Sequence, residues 1–465
     1  MKIVQVIHGF PPDNMAGSEV YTYNLSRELA NKDEVYVFHR IADPEREEYE
    51  VSFGIYDGFN VCTINNTFKY CDSFEKTYRN DIISKKFGGF LDEVKPDIAH
   101  FGHVTCLSTT LIEEAKKRKI PVAFTLHDFW LFCQLGQLLK RDLSLCHGPK
   151  DSECARCLAP QLAIKGGVRK TFEIMKRTIP NFQNRTRPSS WLRTGLEKIL
   201  REIYLQYSKA FFLFQKGAKA QIQKRTTHIK EMCSLVDLFI APSNFLLGKF
   251  IEFGIPKHKI IYIGYGFNMS LFNNFSKADS RKIRFGYIGT FIPSKGVHVL
   301  LEAFNSIKSQ NAELRIHGKF LPYHLGFEDY PDYLRALGKK DNILWFGEYD
   351  NKDIAGILSE IDMLVVPSIW HENSPLTIHE GFMACVPVIT SNIGGMAELV
   401  QDGVNGLLFQ VGDSKDLAKK LQMVIDDPRL IERLGKNIRT VIPIENHALE
   451  IREIYSRLVS GKKSV

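Results

Sequence analysis

The chain has 465 residues, of which 44% are apolar and 25% charged, and its formal net charge is +8. These are the proportions of an ordinary soluble globular protein, long enough for two substantial domains. No apolar run approaches the roughly 20 residues needed to cross a bilayer. The first residues break at once into Gly9-Phe-Pro-Pro, too soon for a signal peptide. The cytoplasm is therefore the expected location.

Taken in chain order, strand-like apolar runs fall at residues 2–7, 34–38, 97–101 and 121–126, with helix-like stretches at 19–30 and 107–118. Such alternation predicts a parallel sheet flanked by helices. Residues 133–230 break the pattern and read as an insertion. Between residues 160 and 230 there are 16 Lys and Arg against 3 Asp and Glu, a local net of +13, so the rest of the chain sums to −5. This basic, mostly helical sequence is interleaved with Phe172, Trp191, Phe211 and Phe212, which suits peripheral contact with an anionic membrane at its inner face.

The alternation resumes at residues 235–241 and 259–263. A second series follows at 282–288, 313–317, 342–346, 362–366, 386–390 and 407–410, and a final helix covers about 446–458. Two such series predict two Rossmann-like α/β domains whose parallel sheets face a central cleft. We place the first at 1–275 and the second at 276–442, with 443–465 a C-terminal helix able to pack back on the first domain.

In an open parallel sheet, ligands bind outside the carboxyl ends of the strands. Glu372 and Glu380 occupy such a place, in a strand–loop–helix–strand passage spanning residues 362–390. His127 and Asp128 end another buried run, where ligand-facing polar groups are expected. Cys133, Cys146, Cys154 and Cys157 read Cys-x12-Cys-x7-Cys-x2-Cys. The short last spacing is typical of zinc or iron–sulfur ligation, so a structural zinc or iron–sulfur site is one expectation and buried free thiols the other. The chain has no Asp-x-Asp, the motif by which metal-dependent transferases hold a diphosphate through a divalent cation.

Six elements in order resemble the retaining glycosyltransferases of family 4, which have the two-domain GT-B fold. They are Tyr287-Ile-Gly-Thr-Phe-Ile-Pro-Ser-Lys-Gly296, the Pro367-Ser368 turn, the Glu372-x7-Glu380 pair, Ile393-Gly-Gly-Met-Ala-Glu398, Asp402-Gly-Val-Asn-Gly-Leu-Leu-Phe409, and Gly412-Asp413. The resemblance implies transfer of a sugar from a UDP- or GDP-sugar to a glycan or lipid-linked acceptor, with retention of configuration and no catalytic metal. Ser374, Pro375, Leu376 and Thr377 would cradle the diphosphate at a helix start. Lys295 would face the departing diphosphate, Glu380 the ribose hydroxyls, and Glu372 the sugar and its oxocarbenium-like transition state. His127 would lie near the donor sugar, Asp128 near the acceptor, and Gly17 in a phosphate loop where Ala16-Gly17 replaces the usual Gly-Gly. Base contacts would fall around residues 347–351.

The sequence departs from the family at Gly289-Thr290, where Gly-Arg is usual. Thr290 then borders the donor without supplying a cation, and Arg284, Arg315 and Lys319 are the candidates to replace it. Glu398 either serves the site or only caps its helix. A sugar-nucleotide epimerase of the same fold is the rival enzyme. Nucleic-acid binding through the basic insertion is a more distant reading, and no nucleic-acid partner is expected.

Overall fold

A computed structural model describes residues 1–158, 217–323 and 326–461. The first domain is built on an eight-stranded sheet. Its strands are β1 (Lys2–Ile7), β2 (Glu34–Ile41), β3 (Val51–Tyr56), β4 (Phe59–Asn65), β5 (Ile98–Phe101), β6 (Val122–Thr125), β7 (Leu238–Ala241) and β8 (Ile260–Tyr262), in spatial order β3-β4-β2-β1-β5-β6-β7-β8. All pair in parallel except β3, which is antiparallel to β4 at the edge. Strands β5, β6 and β7 are buried along their whole length because helices cover both faces, which is why they read as unbroken apolar runs.

A short strand, β9 (Gly266–Phe267), then leads to the second domain, whose six strands are all parallel. They are β10 (Ile283–Ile288), β11 (Ala312–His317), β12 (Ile343–Gly347), β13 (Met363–Val366), β14 (Val388–Ser391) and β15 (Gly406–Phe409), in the order β12-β11-β10-β13-β14-β15. Both sheets reverse their winding beside their first strand, at β1/β5 and at β10/β13, and these switch points are where ligand crevices form. The loops that leave β1, β5, β10 and β13 carry Gly17, His103, Lys295 and Glu372 respectively.

The domains are joined twice. Strand β16 (Ile442–Pro443), just before the C-terminal helix Ile444–Val459, pairs in parallel with β9, so the outgoing and returning chains cross side by side. At Gly266 a Cβ would lie 2.4 Å from that of His447, so only glycine lets the two crossings approach this closely. The C-terminal helix then packs on the first domain. Its Tyr455 hydroxyl meets Gln5 Nε2 at 3.1 Å and His100 Nδ1 at 2.5 Å, and Arg452 Nε donates to Asp33 Oδ2 at 2.7 Å.

Two features differ from the sequence expectation. The β3–β4 hairpin was not anticipated, because the exposed Phe53 and Ile55 of β3 obscure any inward apolar face. Its Asp57-Gly58 turn, with φ of 47° and 88°, is nevertheless a legible hairpin signal. The helix Ala218–Leu235 straddles the expected end of the insertion and is the crossover into β7. Lys277, near the expected start of the second domain, bonds to the carbonyl of Leu358 and pairs with Asp362. Most of the basic segment lies in residues 159–216, outside the described residues, and its membrane reading stands there with it. Among the described residues no helix is long and apolar enough to cross a membrane.

Tyr455→Phe is expected to strip Gln5 and His100 of their buried partner and to lower stability by about 1–3 kcal/mol, measured as a shift of the urea midpoint.

Candidate active site

Strand β13 ends at Val366, and the turn after it is held by packing. At Gly296, with φ +70°, a Cβ would lie 1.9 Å from the carbonyl oxygen of Pro367. That contact seats the loop carrying Lys295 directly on the loop carrying Glu372. The Glu372 side chain is buried at 5% exposure, and its Oε1 accepts from Ser368 Oγ at 2.6 Å and from Lys295 Nζ at 2.6 Å. A buried carboxylate with a hydrogen-bonded cation on one side avoids most of the cost of an isolated charge. Lys295 also lies 5.8 Å from the Trp370 ring and remains partly exposed.

Asn373, the next residue, joins the domains. Its Nδ2 donates to the carbonyl of Leu126 at 3.2 Å and of His127 at 3.4 Å, and its Oδ1 accepts from Ser243 Oγ at 2.6 Å. Behind it, a Cβ on Gly395 would lie 1.5 Å from the Asn373 carbonyl oxygen, which accounts for the second glycine of Ile393-Gly-Gly395. The helix Leu376–Met383 follows, with Pro375 as its N-cap and not within its first turn. The amides of Leu376 and Thr377 make no backbone hydrogen bond, as expected for a helix start. Ser374 Oγ pairs with His379 Nε2 at 2.8 Å, and His379 stacks on Phe267 of β9. Across the cleft Gly17 opens the helix Gly17–Leu29, and a Cβ there would meet Leu376 at 3.6 Å.

Glu380, one turn into the helix, is partly buried and its carboxylate has no hydrogen-bond partner among the described residues. Burial pushes it up to about 7. Tyr349, in the segment expected to face the base, feels this carboxylate and is itself pushed upward, chiefly by burial.

In the first domain His127 follows β6. Its Nδ1 is 2.6 Å from the Tyr265 hydroxyl, and its buried Nε2 has no partner among the described residues. Burial, reinforced by nearby His103, pushes it down to about 3, so the ring is neutral at physiological pH. Asp128 Oδ1 accepts from the Trp130 amide at 2.8 Å and lies 3.2 Å from His103 Nε2. Burial works against its ionisation, but His103 and the Trp130 amide outweigh it and hold the carboxyl below its usual value. Sequence reasoning missed His103, although it follows β5 as His127 follows β6. It also missed the pair of buried Glu19 and half-buried His8, whose Oε1 and Nε2 are 3.2 Å apart. Despite burial, His8 and Ser18 hold Glu19 down at about 2.

Two of the proposed stand-ins for the absent arginine are committed elsewhere. Arg284 is buried against Asp362 at 2.8 Å, and Arg315 pairs with Glu313 and Glu360. Lys319 leaves the carboxyl end of β11 and pairs with exposed Glu348, so it alone of the three lies on the crevice side. Thr290 contributes its carbonyl to the Tyr287 hydroxyl at 2.8 Å. Glu398 does not cap its own helix. Its carboxylate accepts from the amides of Asn244, at 2.8 Å, and Phe245, and so caps the helix Asn244–Phe253 of the first domain.

Cys133, Cys146, Cys154 and Cys157 line one cavity beside Arg225, as free thiols. Among the described residues no group of three or more His, Cys, Asp or Glu is at metal-holding geometry.

Known proteins agree with this architecture. Residues 271–441 match the family described as glycosyl transferases group 1, and residues 15–186 match glycosyltransferase family 4. An uncharacterized glycosyltransferase of Methanocaldococcus jannaschii is 29% identical over 208 residues, 43% of this chain and 55% of that protein. The capsular polysaccharide biosynthesis glycosyltransferase CapM of Staphylococcus aureus is 27% identical over 215 residues, again 43% and 55%. The chain thus spans about half the length of these relatives. Among solved structures, sucrose-phosphate synthase of Thermosynechococcus elongatus superposes with a TM-score of 0.65 at 17% identity, covering 99% of this chain and 100% of that one. Anabaena HepE in complex with UDP and glucose gives 0.62 at 16%, covering 98% and 99%. Two segments of the chain thus match glycosyltransferase family models, one in each domain, and the chain has the GT-B fold.

Two outcomes are expected. Glu398→Ala should free two helix-start amides, costing about 0.5–2 kcal/mol and speeding amide exchange at Asn244 and Phe245. Between pH of about 4.5 and 7 the folded chain keeps the Glu380 proton that the unfolded chain releases. Stability should therefore fall as pH rises through that window, and Glu380→Gln should flatten the fall in melting temperature.

Proposed function

We propose that this protein transfers a sugar from a nucleotide-diphosphate sugar to a glycan or lipid-linked acceptor, with retention of configuration and without a metal at the catalytic centre. The observation that carries the reading is the meeting, at the β10/β13 switch point, of the buried Glu372 paired with Lys295 and the open end of the helix Leu376–Met383. The free amides of Leu376 and Thr377, with Ser374 beside them, suit a diphosphate. Lys295 would turn from Glu372 toward that diphosphate as the sugar–phosphate bond lengthens, stabilising the charge that grows on the leaving group. Glu372 would then keep Ser368 as its partner and present its other oxygen to the sugar.

Glu380 has an unfilled carboxylate, which suits two ribose hydroxyls. HepE is described with UDP and UDP-glucose, which supports a uridine nucleotide among the donors to test first. Neutral His127, with Nε2 unfilled, and the ionised Asp128 would face the donor sugar and the acceptor from the first domain. CapM's role in capsular polysaccharide biosynthesis supports a glycan acceptor. Peripheral contact with an anionic membrane would bring a lipid-linked one within reach.

A panel of nucleotide sugars should contain one that raises the melting temperature, since a ligand of the folded state stabilises it. Glu380→Gln and Lys295→Ala should each abolish that shift or weaken it by tenfold or more. Binding unchanged in both variants would refute the assignment. Affinity for the same diester donor, which does not titrate near neutrality, should rise between pH of about 6 and 8 as Glu380 ionises, and this rise should vanish in Glu380→Gln.

A further inference from the structure

The four clustered cysteines come from three separate pieces of chain. Cys133 sits in a tight turn closed by its own amide to the Phe129 carbonyl at 2.7 Å and by Gly136 N to the Cys133 carbonyl at 2.7 Å. Cys146 ends a hairpin bridged at Leu139 and Leu145, with its amide donating to Leu138 at 2.8 Å. Cys154 and Cys157 are one turn apart on the helix Asp151–Cys157. All four side chains line a single cavity whose other walls are mostly apolar, among them Phe132, Leu138 and Ile222.

Burial pushes the Cys133, Cys154 and Cys157 thiols up, the latter two to about 11, and backbone donors oppose this only in part. The Cys133 thiol takes hydrogen bonds from the backbone of Leu138 and Leu135, and Cys157 takes one from the backbone of Arg141. Amide donors aimed at sulfur stabilise thiolate over thiol. The turns that aim them need left-handed residues, and Gly136 (φ 76°), Leu138 (φ 49°) and Leu143 (φ 65°) are such residues. A non-glycine residue held there marks a local constraint that something else must support.

Arg225 lines the same cavity and is 4% exposed. Its guanidinium donates to the carbonyls of Trp130, at 2.6 Å, and Leu131, at 3.3 Å, and lies over the Trp130 ring at 5.1 Å. No carboxylate pairs with it among the described residues, and its Nε has no partner. A buried cation without a counter-ion is costly. Among the described residues, the groups lining its cavity that can become anionic are the four thiols and Glu153, whose carboxylate already pairs with Lys140 and Lys150.

We propose that Cys133, Cys146, Cys154 and Cys157 bind one structural zinc ion as a tetrathiolate, with Arg225 as its buried counter-charge. Zn²⁺ and four thiols give a zinc tetrathiolate of net charge −2 and release four protons to solvent, with no change of oxidation state. The thiols in this structure are not yet at ligand geometry, so the ion draws the turn, the hairpin and the helix together as it binds. The site braces the segment that leaves His127 and Asp128 and takes no part in the transfer step.

The test uses the full chain. It should purify with close to one zinc per molecule, release it to a mercurial reagent, and take up Co²⁺ with the sulfur-to-metal charge-transfer bands of a tetrahedral thiolate site. Cys154→Ser and Cys157→Ser should lose the metal and those bands, whereas Cys62→Ser and Cys233→Ser should keep both. Chelation of the unmutated protein should lower its melting temperature, and added zinc should restore it, which separates metal loss from misfolding of a variant. A chain that folds without zinc, carries a disulfide among these four cysteines, or binds iron with inorganic sulfide would overturn the proposal. So would zinc retained by both Cys154→Ser and Cys157→Ser.

Discussion

Where the carboxyl edges of the two sheets face each other, backbone carbonyls leave the last strand residues with no ladder partner, and something must satisfy them. Asn373 does this across the domain boundary. One side-chain amide donates to the end of β6 while its oxygen takes the hydroxyl of Ser243, the cap of the helix after β7. Because Asn373 sits between Glu372 and Ser374, the same bonds place the buried Glu372 carboxylate and Ser374 against the end of β6, just ahead of His127. The glycines of Ile393-Gly-Gly395 are the wall behind this segment, since a side chain there would occupy the position of its carbonyls.

Charge is divided between the halves of the crevice. The second domain supplies the cation, Lys295, and the unfilled helix-start amides, both suited to a departing diphosphate. The first supplies imidazoles and carboxylates in a row, Glu19 with His8 and His103 with Asp128, the two imidazoles 4.6 Å apart. His127 stands beside them, neutral and half satisfied. Polar groups left unpaired in a buried place suit a ligand that completes their bonding. Glu398 ties the arrangement together from outside by capping a helix of the opposite domain.

The architecture was legible because each central strand is buried on both faces and so reads as an apolar run, and the helices between them alternate regularly. The β3–β4 hairpin escaped this logic because an edge strand need not hide its side chains, and Ile55 is 78% exposed. In the site, Glu372, Lys295 and the helix after them were legible as an ordered motif, and glycines such as Gly296 could be placed within it. Asn373, His103, His8 and Glu19 were not, because a single polar residue acquires meaning only from what a distant segment brings to it.

The sequence by itself determined the two α/β series, the strand ends at which polar residues collect, and the four-cysteine spacing, since all of these are local patterns of burial and chain geometry. Tertiary structure alone decided partnership. It gave Glu398 to the helix of the other domain, committed Arg284 and Arg315 to carboxylates away from the crevice, left Glu380 without a hydrogen-bond partner among the described residues, and set the cysteines around Arg225. Hydrogen bonds and ion pairs act over a few ångströms in space, and chain separation carries no record of that distance.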